Sequence, residues 1–332
     1  MISGSYQVTF SEDKDTSRLD SYFFQEIITL QKADFYFHDL KEMSRSQINY
    51  WISHGYIKVN HKTVKPSYKL KLTDQITWEI PPVLYPEKLI WNDYYEDEDI
   101  LVFEKPYGLS CHPGSGIPQV TLAHGLIERY GEGTLPGDAF RPGIVHRLDK
   151  DTSGVMMIVK NQRAYEIIKE QWKEHQHLRI YEALVSGVLP QDKGIIDTFY
   201  GRDLSHPKKF KVIEDNQSNS KTVRAKMSYT SKSVLTGQKK THKISHVECE
   251  LHTGKTHQIR VQMAWLGCPV LGDLLYGYPL KNFKISRQLL HAHKLGIFHP
   301  TTKKWMEFTS LLPKDFTNAI EKVKSMSQQN LN

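Results

Sequence analysis

Residues 146–154 read HRLDKDTSG and lead directly into the apolar run VMMIV at residues 155–159. This order predicts a charged loop entering a buried strand, a common position for catalytic groups because the strand holds the loop rigidly. Asp149 is flanked by Arg147 and Lys150, and nearby positive charge favours the ionised carboxylate. On this pattern alone, Asp149 belongs either to a structural ion pair or to a site that needs a nucleophile or base.

A second charged segment, residues 251–261 (LHTGKTHQIRV), lies far along the chain. Thr253 and Gly254 predict a turn that caps a helix and places Arg260 in the second turn of that helix. An arginine in this position can bind a carboxylate through two hydrogen bonds and fix its orientation. The alternative is an exposed arginine on a helix face.

A third segment, residues 179–187 (RIYEALVSG), predicts a strand that carries Tyr181. An aromatic ring on a strand usually belongs to the core. In a basic cleft, the same ring can instead stack on a nucleobase.

Hydrophobic periodicity around these segments predicts an α+β fold. Strands are predicted at 100–104, 154–160, 179–188 and 244–251, and helices at 121–130, 162–175 and 256–266, the last closed by Gly267. Because strands and helices do not alternate strictly, we expect a mixed, largely antiparallel sheet with flanking helices and loops, not a doubly wound fold. Residues 208–243 are polar and basic, and we expect a hairpin or long loop there.

The N-terminal part has its own pattern of short elements. Helices are predicted at 18–30 and 45–54, and short strands at 56–59 and within 69–80, with a turn at 60–62. Prolines between residues 81 and 86 indicate a linker. The predicted organisation is a flexible N-terminus (1–15), a small domain (16–82), a linker (83–92), a catalytic domain (93–318) and a C-terminal tail (319–332).

The charge distribution suggests a polyanionic partner. The 332-residue chain carries a formal charge of +7, with 39% hydrophobic and 24% charged residues. Residues 41–80 contain seven Lys or Arg against three Asp or Glu, and residues 201–246 contain eleven against three. Two basic segments in different parts of the chain suit a polyanion that touches both, and the alternative is two solvated basic surfaces.

Several other classes of protein are disfavoured by the sequence. It has no long apolar run for a membrane span and no signal-peptide core, so a cytoplasmic location is expected. Cys111, Cys249 and Cys268 do not form a disulfide framework. Neither a His-Glu-x-x-His nor a Cys-x-x-Cys pattern is present, and residues 114–116 (GSG) lack the Lys-Ser/Thr of a phosphate-binding loop.

These segments together resemble the motifs of the RluA family of pseudouridine synthases. Residues 146–154 match the catalytic motif of that family, Tyr181 falls on the motif of its active-site tyrosine, and residues 253–261 are similar to its basic motif. Further similar stretches are 103–109 (FEKPYGL), 112–113, 271–273 (LGD), 276–277, 290–292 and 299–300. The resemblance covers roughly residues 94–313, with Lys255 standing where arginine is usual.

The resemblance implies an isomerase that needs no metal or other cofactor. Asp149 would be the nucleophile or base, Arg260 would pair with it, and Tyr181 would stack on the uracil. Arg147 would fill the space left by the extruded base, with His146 also contacting RNA. Leu148 and Ile259 are expected behind the site.

The N-terminal domain resembles the α-L RNA-binding module of some ribosomal proteins. Residues 18–20 (RLD), 44–46 (SRS), 55–57 (GYI) and 59–60 (VN) carry this resemblance, and residues 30–42 form an unusually long insertion. The remaining expected RNA-binding residues are Arg45, Lys58, Lys62, Lys208, Lys209 and Lys255.

Three alternatives stay open at this point. Large-subunit ribosomal RNA is the favoured substrate, and transfer RNA is the second candidate. The protein is expected to be a monomer. A non-catalytic ribosome-assembly factor would keep the basic segments but would not need Asp149, Tyr181 and Arg260 together. A metal-dependent hydrolase is disfavoured by the absence of the usual ligand spacings.

Overall fold

The structure is a computed structural model that describes residues 2–8, 18–23, 45–80, 89, 91–113, 120–138, 141–206, 208–214, 222–236, 243–278 and 285–328. The chain divides into two compact units. One comprises Met1–Leu89 and Cys111–Pro142, and the other Ile90–Ser110 and Gly143–Asn332. The predicted boundaries at residues 82 and 93 stay predictions, and the expected insertion, residues 30–42, lies outside the described residues.

The first unit contains a three-stranded antiparallel sheet in the order β1-β3-β2. Its elements are β1 (Ile2–Gln7), α1 (Arg45–Ser53), β2 (Ile57–Val59), β3 (Gln75–Ile80) and α2 (Leu122–Tyr130). The predicted helix at 45–54 and turn at 60–62 are confirmed, since Gly55 follows α1 with φ +74° and Asn60 adopts φ +49°. Residues 19–23 are helical, and the rest of that predicted helix lies outside the described residues.

The second unit is built on a sheet of ten described strands. They are β4 (Asp93–Glu96), β5 (Ile100–Lys105), β6 (Ser153–Val159), β7 (His177–Ser186), β8 (Lys193–Arg202), β9 (Phe210–Ile213), β10 (Val223–Thr236), β11 (Lys243–Leu251), β12 (Leu290–Phe298) and β13 (Trp305–Thr309). The order is β4-β5-β6-β12-β7-β11-β10-β8-β9, with β13 paired to β12. Only the β6–β12 pairing is parallel among these described strands, so the largely antiparallel α+β fold is confirmed.

Three helices flank this sheet: α3 (Gln162–Lys173), α4 (Gln258–Trp265) and α5 (Lys314–Gln328). Every residue of β6 is buried, as expected of a strand covered on both faces. Ile168 of α3 packs in one core cluster with residues of β5 and β6. Phe316 and Val323 of α5 pack in another with Leu184 and Ile244. The strand that follows the charged loop therefore lies in the middle of a covered sheet.

The N-terminus is not the flexible segment that was predicted. Residues 2–7 form β1, which pairs with β3 from Ile2↔Ile80 to Gln7↔Gln75. Beyond the strand, Val8 is fully buried, and Tyr6 packs against the same core. The alternation of Ile2, Gly4, Tyr6 and Val8 with polar residues is the period-two signal that the prediction missed.

The expectation of a hairpin or loop at 208–243 is wrong for much of its length. β10 is an interior strand that pairs with β8 on one side and β11 on the other. Ala225, Met227 and Tyr229 are buried, while Arg224 and Lys226, which alternate with them, are exposed. The prediction took the basic residues on the exposed face of β10 as a sign of a polar loop, although they alternate with buried residues. Within this segment, residues 207, 215–221 and 237–242 lie outside the described residues.

The predicted tail from residue 319 is also wrong, because α5 continues to Gln328 and buries Ala319 and Val323. No helix among the described residues is long and apolar enough to cross a membrane. The three cysteines, all within the described part, are buried and form no disulfide.

Candidate active site

Asp149 lies in the loop that enters β6, and two buried cations hold the backbone of this loop. Lys105 is fully buried, and its Nζ donates to the carbonyl oxygen of Lys150 at 3.1 Å. The Arg287 guanidinium, also buried, donates through Nη1 to the carbonyl oxygen of Asp151 at 3.1 Å. The backbone of the two residues that follow Asp149 is thus fixed, which gives the Asp149 carboxylate a defined position.

The loop also depends on a close approach between two strands. Gly154 pairs with Ala292 of β12 and has φ +123°, a backbone conformation that side chains rarely adopt. A Cβ at Gly154 would overlap the carbonyl oxygen of Ala292. The glycine therefore allows β6 to start directly against β12, immediately after the charged loop.

Arg260 bridges two carboxylates. Its Nη1 donates to Oδ2 of Asp149 at 3.0 Å, while Nε and Nη2 donate to Oδ2 and Oδ1 of Asp273 at 2.7 and 3.0 Å. The ion pair between Arg260 and Asp149 that the resemblance implied is confirmed. Asp273 has a fully buried side chain, and its Oδ1 also accepts the backbone N–H groups of Leu275 and Tyr276.

The electrostatics of this group favour full ionisation of the arginine and its buried partner. Burial opposes the charge on Arg260, but hydrogen bonds and attraction from Asp273 and Asp149 outweigh it and raise the pKa of the guanidinium. Burial likewise opposes the charge on Asp273, and Arg260 together with the backbone N–H groups lowers the pKa of that carboxyl. Two hydrogen bonds to Asp273 fix the guanidinium plane, so Nη1 is directed at Asp149.

The helix that carries Arg260 begins later than predicted. α4 starts at Gln258, and its N-cap His257 adopts the left-handed conformation with φ 61°. The Gln258 side chain accepts hydrogen bonds from the Thr253 hydroxyl and the Lys255 backbone N–H. These bonds close residues 253–257 into a loop, and Arg260 lies in the first turn of α4 and not in the second.

The three residues predicted to be catalytic line one cavity of about 430 Å³. Tyr181 on β7 contributes a largely buried side chain to the wall. Leu148 and Ile259 line the cavity next to Asp149 and Arg260 and are both almost completely buried, as expected. The cavity thus combines an anion, a fixed cation and an aromatic ring, and the catalytic roles of the three residues stay predictions.

His146 forms part of the cavity wall as a neutral ring. Its Nε2 accepts the backbone N–H of Met157 at 3.0 Å, which places the proton on Nδ1. Burial, with repulsion from Arg179 and His177, lowers the pKa of His146 to about 3. At neutral pH it has no positive charge to offer a phosphate, so the predicted RNA contact would need hydrogen bonding or packing.

The other predicted RNA-binding residues are spread over both units. Arg147 is exposed at the cavity and Lys255 lines it. Lys208 and Lys209 precede β9, the first exposed and the second half-buried. In the first unit, Lys58 is half-buried and Lys62 is exposed. Arg45 is the first residue of α1, and its side chain is not among those that the structure describes. Their RNA contacts stay predictions.

Sequence reasoning gave no role to Asp273, Lys105 or Arg287. Asp273 and Lys105 lie within segments that carried the family resemblance, so a signal was present for them. Arg287 has no such signal, because its partners lie in distant segments: it forms an ion pair with Asp315 and donates to the carbonyl oxygen of Asp151. The described part of the chain contains no cluster of three or more His, Cys, Asp or Glu that could hold a metal ion.

Comparison with known proteins gives consistent results. The family model described as RNA pseudouridylate synthase matches residues 99–265, and the S4 domain model matches residues 41–76. The uncharacterized RNA pseudouridine synthase YlyB of Bacillus subtilis is 36% identical over 96% of this chain and 97% of its own length. A ribosomal large subunit pseudouridine synthase D of Neisseria meningitidis is 34% identical over 83% and 74%, respectively.

A solved structure supports the fold. The human RNA pseudouridylate synthase domain containing 4 aligns with a TM-score of 0.55 at 22% identity, covering 70% of this chain and 93% of that one. The S4 match falls on the segment with the predicted α-L resemblance and confirms it.

Proposed function

The chain belongs to the family of RNA pseudouridylate synthases and is therefore an isomerase, and we propose that it acts on uridines of large-subunit ribosomal RNA. Relatives from Neisseria meningitidis and Zymomonas mobilis, 34% and 33% identical, are named as synthases of the ribosomal large subunit. The S4 domain adds an RNA-binding module to the catalytic unit. A monomeric, cytoplasmic protein remains our expectation.

The reaction exchanges one bond of uridine for another. The N1–C1′ glycosidic bond breaks, the base turns over, and a C5–C1′ bond forms; C5 then gives up its proton and N1 carries one, so no atom is gained or lost overall. We assign the anionic role to Asp149, which attacks the sugar or the base or assists the proton shift. We place Tyr181 against the uracil, where it stacks and assists removal of the C5 proton.

One observation carries this assignment: the Arg260 guanidinium, 3.0 Å from Asp149, is held in a cavity that Tyr181 also lines. The Asp149 side chain is 16% exposed, so it is accessible from the cavity while remaining paired. The bond to Arg260 fixes the orientation of this carboxylate, as a nucleophile or base requires. A purely structural ion pair would not need a nucleotide-sized opening beside it.

The target base has to leave its stack to reach this cavity, at a cost of a few kcal/mol. We propose that Arg147, exposed at the cavity, takes the place that the base leaves in the RNA. The S4 domain would add phosphate contacts that do not depend on sequence and weaken steeply with salt.

The catalytic assignment is tested by Asp149→Asn in a tritium-release assay on RNA labelled at C5 of uridine. We expect turnover to be lost, because the amide is a poor nucleophile and base. Asp192→Asn removes an exposed carboxylate from the loop between β7 and β8 and is expected to keep wild-type turnover. Wild-type tritium release by the Asp149 variant would refute the central role.

The substrate is tested by mapping pseudouridines in total RNA from cells with and without the protein. We expect at least one site in large-subunit ribosomal RNA to disappear and to return when the wild-type protein, but not Asp149→Asn, is supplied. Loss of sites in transfer RNA alone would contradict the proposed substrate while leaving the isomerase activity intact.

A further inference from the structure

Arg179 on β7 is a buried cation that lines the catalytic cavity without a carboxylate partner in the described part of the chain. Arg179 is only 9% exposed, and its side chain forms part of the cavity wall. The Nε atom is buried with no hydrogen-bond partner, and Nη2 reaches only the carbonyl oxygen of Leu251 at 3.5 Å, a long and weak contact. Most of the hydrogen-bonding capacity of this guanidinium is therefore unused.

Two other buried arginines of the same unit are fully paired. Arg260 binds Asp149 and Asp273, and Arg287 binds Asp315 through Nε and Nη2 at 2.6 and 2.9 Å. A buried charge without a partner is costly, whereas a paired one is compensated. Burial lowers the pKa of Arg179, although an arginine stays protonated in proteins. As far as the described residues go, Arg179 is thus an uncompensated cation whose burial is a cost to the free protein, and an anion from the substrate would compensate it.

Among the described residues, the cavity has no spare anion for Arg179. Its lining contains four cationic side chains, Arg147, Arg179, Lys255 and Arg260, and one carboxylate, Asp149. Asp149 is already bound by Arg260. A further anion in this cavity has to come with the substrate, and the fixed anions of RNA are its backbone phosphates.

The position of Arg179 suits a phosphate next to the reacting base. Arg179 and Tyr181 are two residues apart on β7, so they share one face of the strand, roughly 6.6 Å apart along it. Within a nucleotide the ribose separates the base from its phosphates, so a base on Tyr181 brings a phosphate toward Arg179. Gly254 leaves room for the guanidinium in this position, since a Cβ on it would lie 2.5 Å from Nη1 of Arg179.

We propose that Arg179 binds a backbone phosphate of the target nucleotide inside the catalytic cavity, and so positions the uridine on Tyr181 beside Asp149. This role rests on the proposed function and adds to it a binding residue for the RNA strand. A planar guanidinium with free Nε and Nη donors binds a phosphate bidentately, which a lysine cannot do.

The test is a double-substitution cycle between the protein and the RNA. The probe is an oligonucleotide carrying a uridine that mapping identifies as this enzyme's own product, from whichever class of RNA. Single uncharged methylphosphonates replace the phosphate on the 5′ or 3′ side of that uridine. Binding is measured with full-length protein carrying Asp149→Asn, which prevents turnover, with and without Arg179→Gln.

We expect Arg179→Gln to weaken binding of the unmodified RNA by about 10- to 100-fold, the range for a lost hydrogen bond to a charged group. The slope of log K against log salt should fall by about 0.7–0.9, the value for one phosphate contact. One methylphosphonate should weaken binding by the protein that retains Arg179 to a similar extent and leave binding by the Arg179→Gln variant unaffected. If neither the 5′ nor the 3′ methylphosphonate distinguishes the two proteins, because each weakens binding by both equally or by neither, the proposal is overturned.

Thermal unfolding supplies an independent readout. Because Arg179 has no carboxylate partner among the residues that the structure describes, Arg179→Met should leave Tm unchanged or raise it, whereas the matched control Arg287→Met should lower it by several degrees. A fall in Tm for Arg179→Met as large as that of the control would show a structural role and overturn the proposal. Tritium release from the same oligonucleotide by wild-type protein tests the proposed function separately, because that activity depends on Asp149.

Discussion

Replacing Asp273 with asparagine removes one buried negative charge and leaves the shape of the side chain almost unchanged. In the wild type, the two carboxylate oxygens accept four donors: Nε and Nη2 of Arg260 and the backbone N–H groups of Leu275 and Tyr276. An asparagine offers one oxygen and one amide NH₂. At least one of the four donors then faces another donor, and Arg260 keeps Asp149 as its sole anionic partner among the described residues.

The expected loss of stability is large, because breaking a buried ion pair by neutralising one partner costs about 3–5 kcal/mol. At about 2 °C per kcal/mol, Tm should fall by roughly 6–10 °C. The loss also depends on pH. The pKa of Asp273 is lowered in the folded state, so its contribution is present above the unfolded value of about 3.9 and disappears as pH falls below it. The difference between wild type and variant should therefore shrink below about pH 4.

Catalysis should suffer through position and not through direct chemistry. Asp273 is not among the described residues that line the cavity, but it fixes the guanidinium that orients Asp149. A displacement of about 1 Å at a catalytic group can cost roughly 100-fold in rate, so we expect a fall of that order in single-turnover rate with little change in RNA binding. Asp149→Asn should show the opposite balance, with turnover abolished and a smaller loss of stability, because Asp149 has partial exposure and one bond to Arg260.

Denaturant unfolding and single-turnover assays on both variants check these expectations. Wild-type stability and rate in Asp273→Asn would refute the reasoning that the buried pair fixes Arg260. Greater destabilisation by Asp149→Asn than by Asp273→Asn would also contradict it, since the more exposed carboxylate would then be the structural one.

Other substitutions test separate parts of the structure. Because the pKa of His146 is lowered to about 3 in the folded state, the unfolded protein takes up a proton at this residue first as the pH falls. The free energy of unfolding should therefore decrease as the pH is lowered from 6.5 to 3, with this residue accounting for roughly 1–2 kcal/mol at pH 5. In urea unfolding, His146→Gln, which keeps an acceptor for Met157, should lose less stability than the wild type over this pH range. Lys105→Met leaves three buried carbonyl oxygens, including that of Lys150, without the donor that Nζ provides. Urea unfolding should show a loss of about 3 kcal/mol or more, and turnover should fall as well. Val323→Asp buries an unpaired carboxylate under the sheet and should unfold or aggregate the protein, as light scattering would detect, whereas Val323→Ile should remain folded.

Much of the second unit could be predicted from local pattern. β5 and β6 are short apolar runs between polar loops, and every residue of β6 is buried, so composition alone indicates them. β10 could not be recognised as an interior strand in the same way. Its exposed face carries Arg224 and Lys226, and its place in the sheet depends on hydrogen bonds to β8 and β11.

The candidate site was predictable where a motif carried it and not where distant segments create it. The bond between Arg260 and Asp149 joins residues 111 positions apart, and only the family resemblance indicated it. No sequence signal indicates that Arg179 lacks a carboxylate partner within the described ranges, because this depends on which carboxylates the fold leaves out of reach. Asp273 is an intermediate case: it lies in a segment that carried the family resemblance, but its burial follows from packing around α4 and the loop after it.

The strand order has a consequence for how such a protein can be altered. The loop with Asp149 and the strand with Tyr181 flank β12 in the middle of the ten described strands, whereas β4 and β9 occupy the margins. The two margins differ in what they touch: Tyr200 of β8 and Phe210 of β9 pack in one core cluster with Val261, which follows Arg260 on α4. Replacing β8 or β9 with strands of another protein would therefore displace α4, and Arg260 with it, unless the new strands keep these contacts. Attempts to redirect the enzyme to a new RNA should accordingly retain Tyr200 and Phe210 and vary the exposed residues around them.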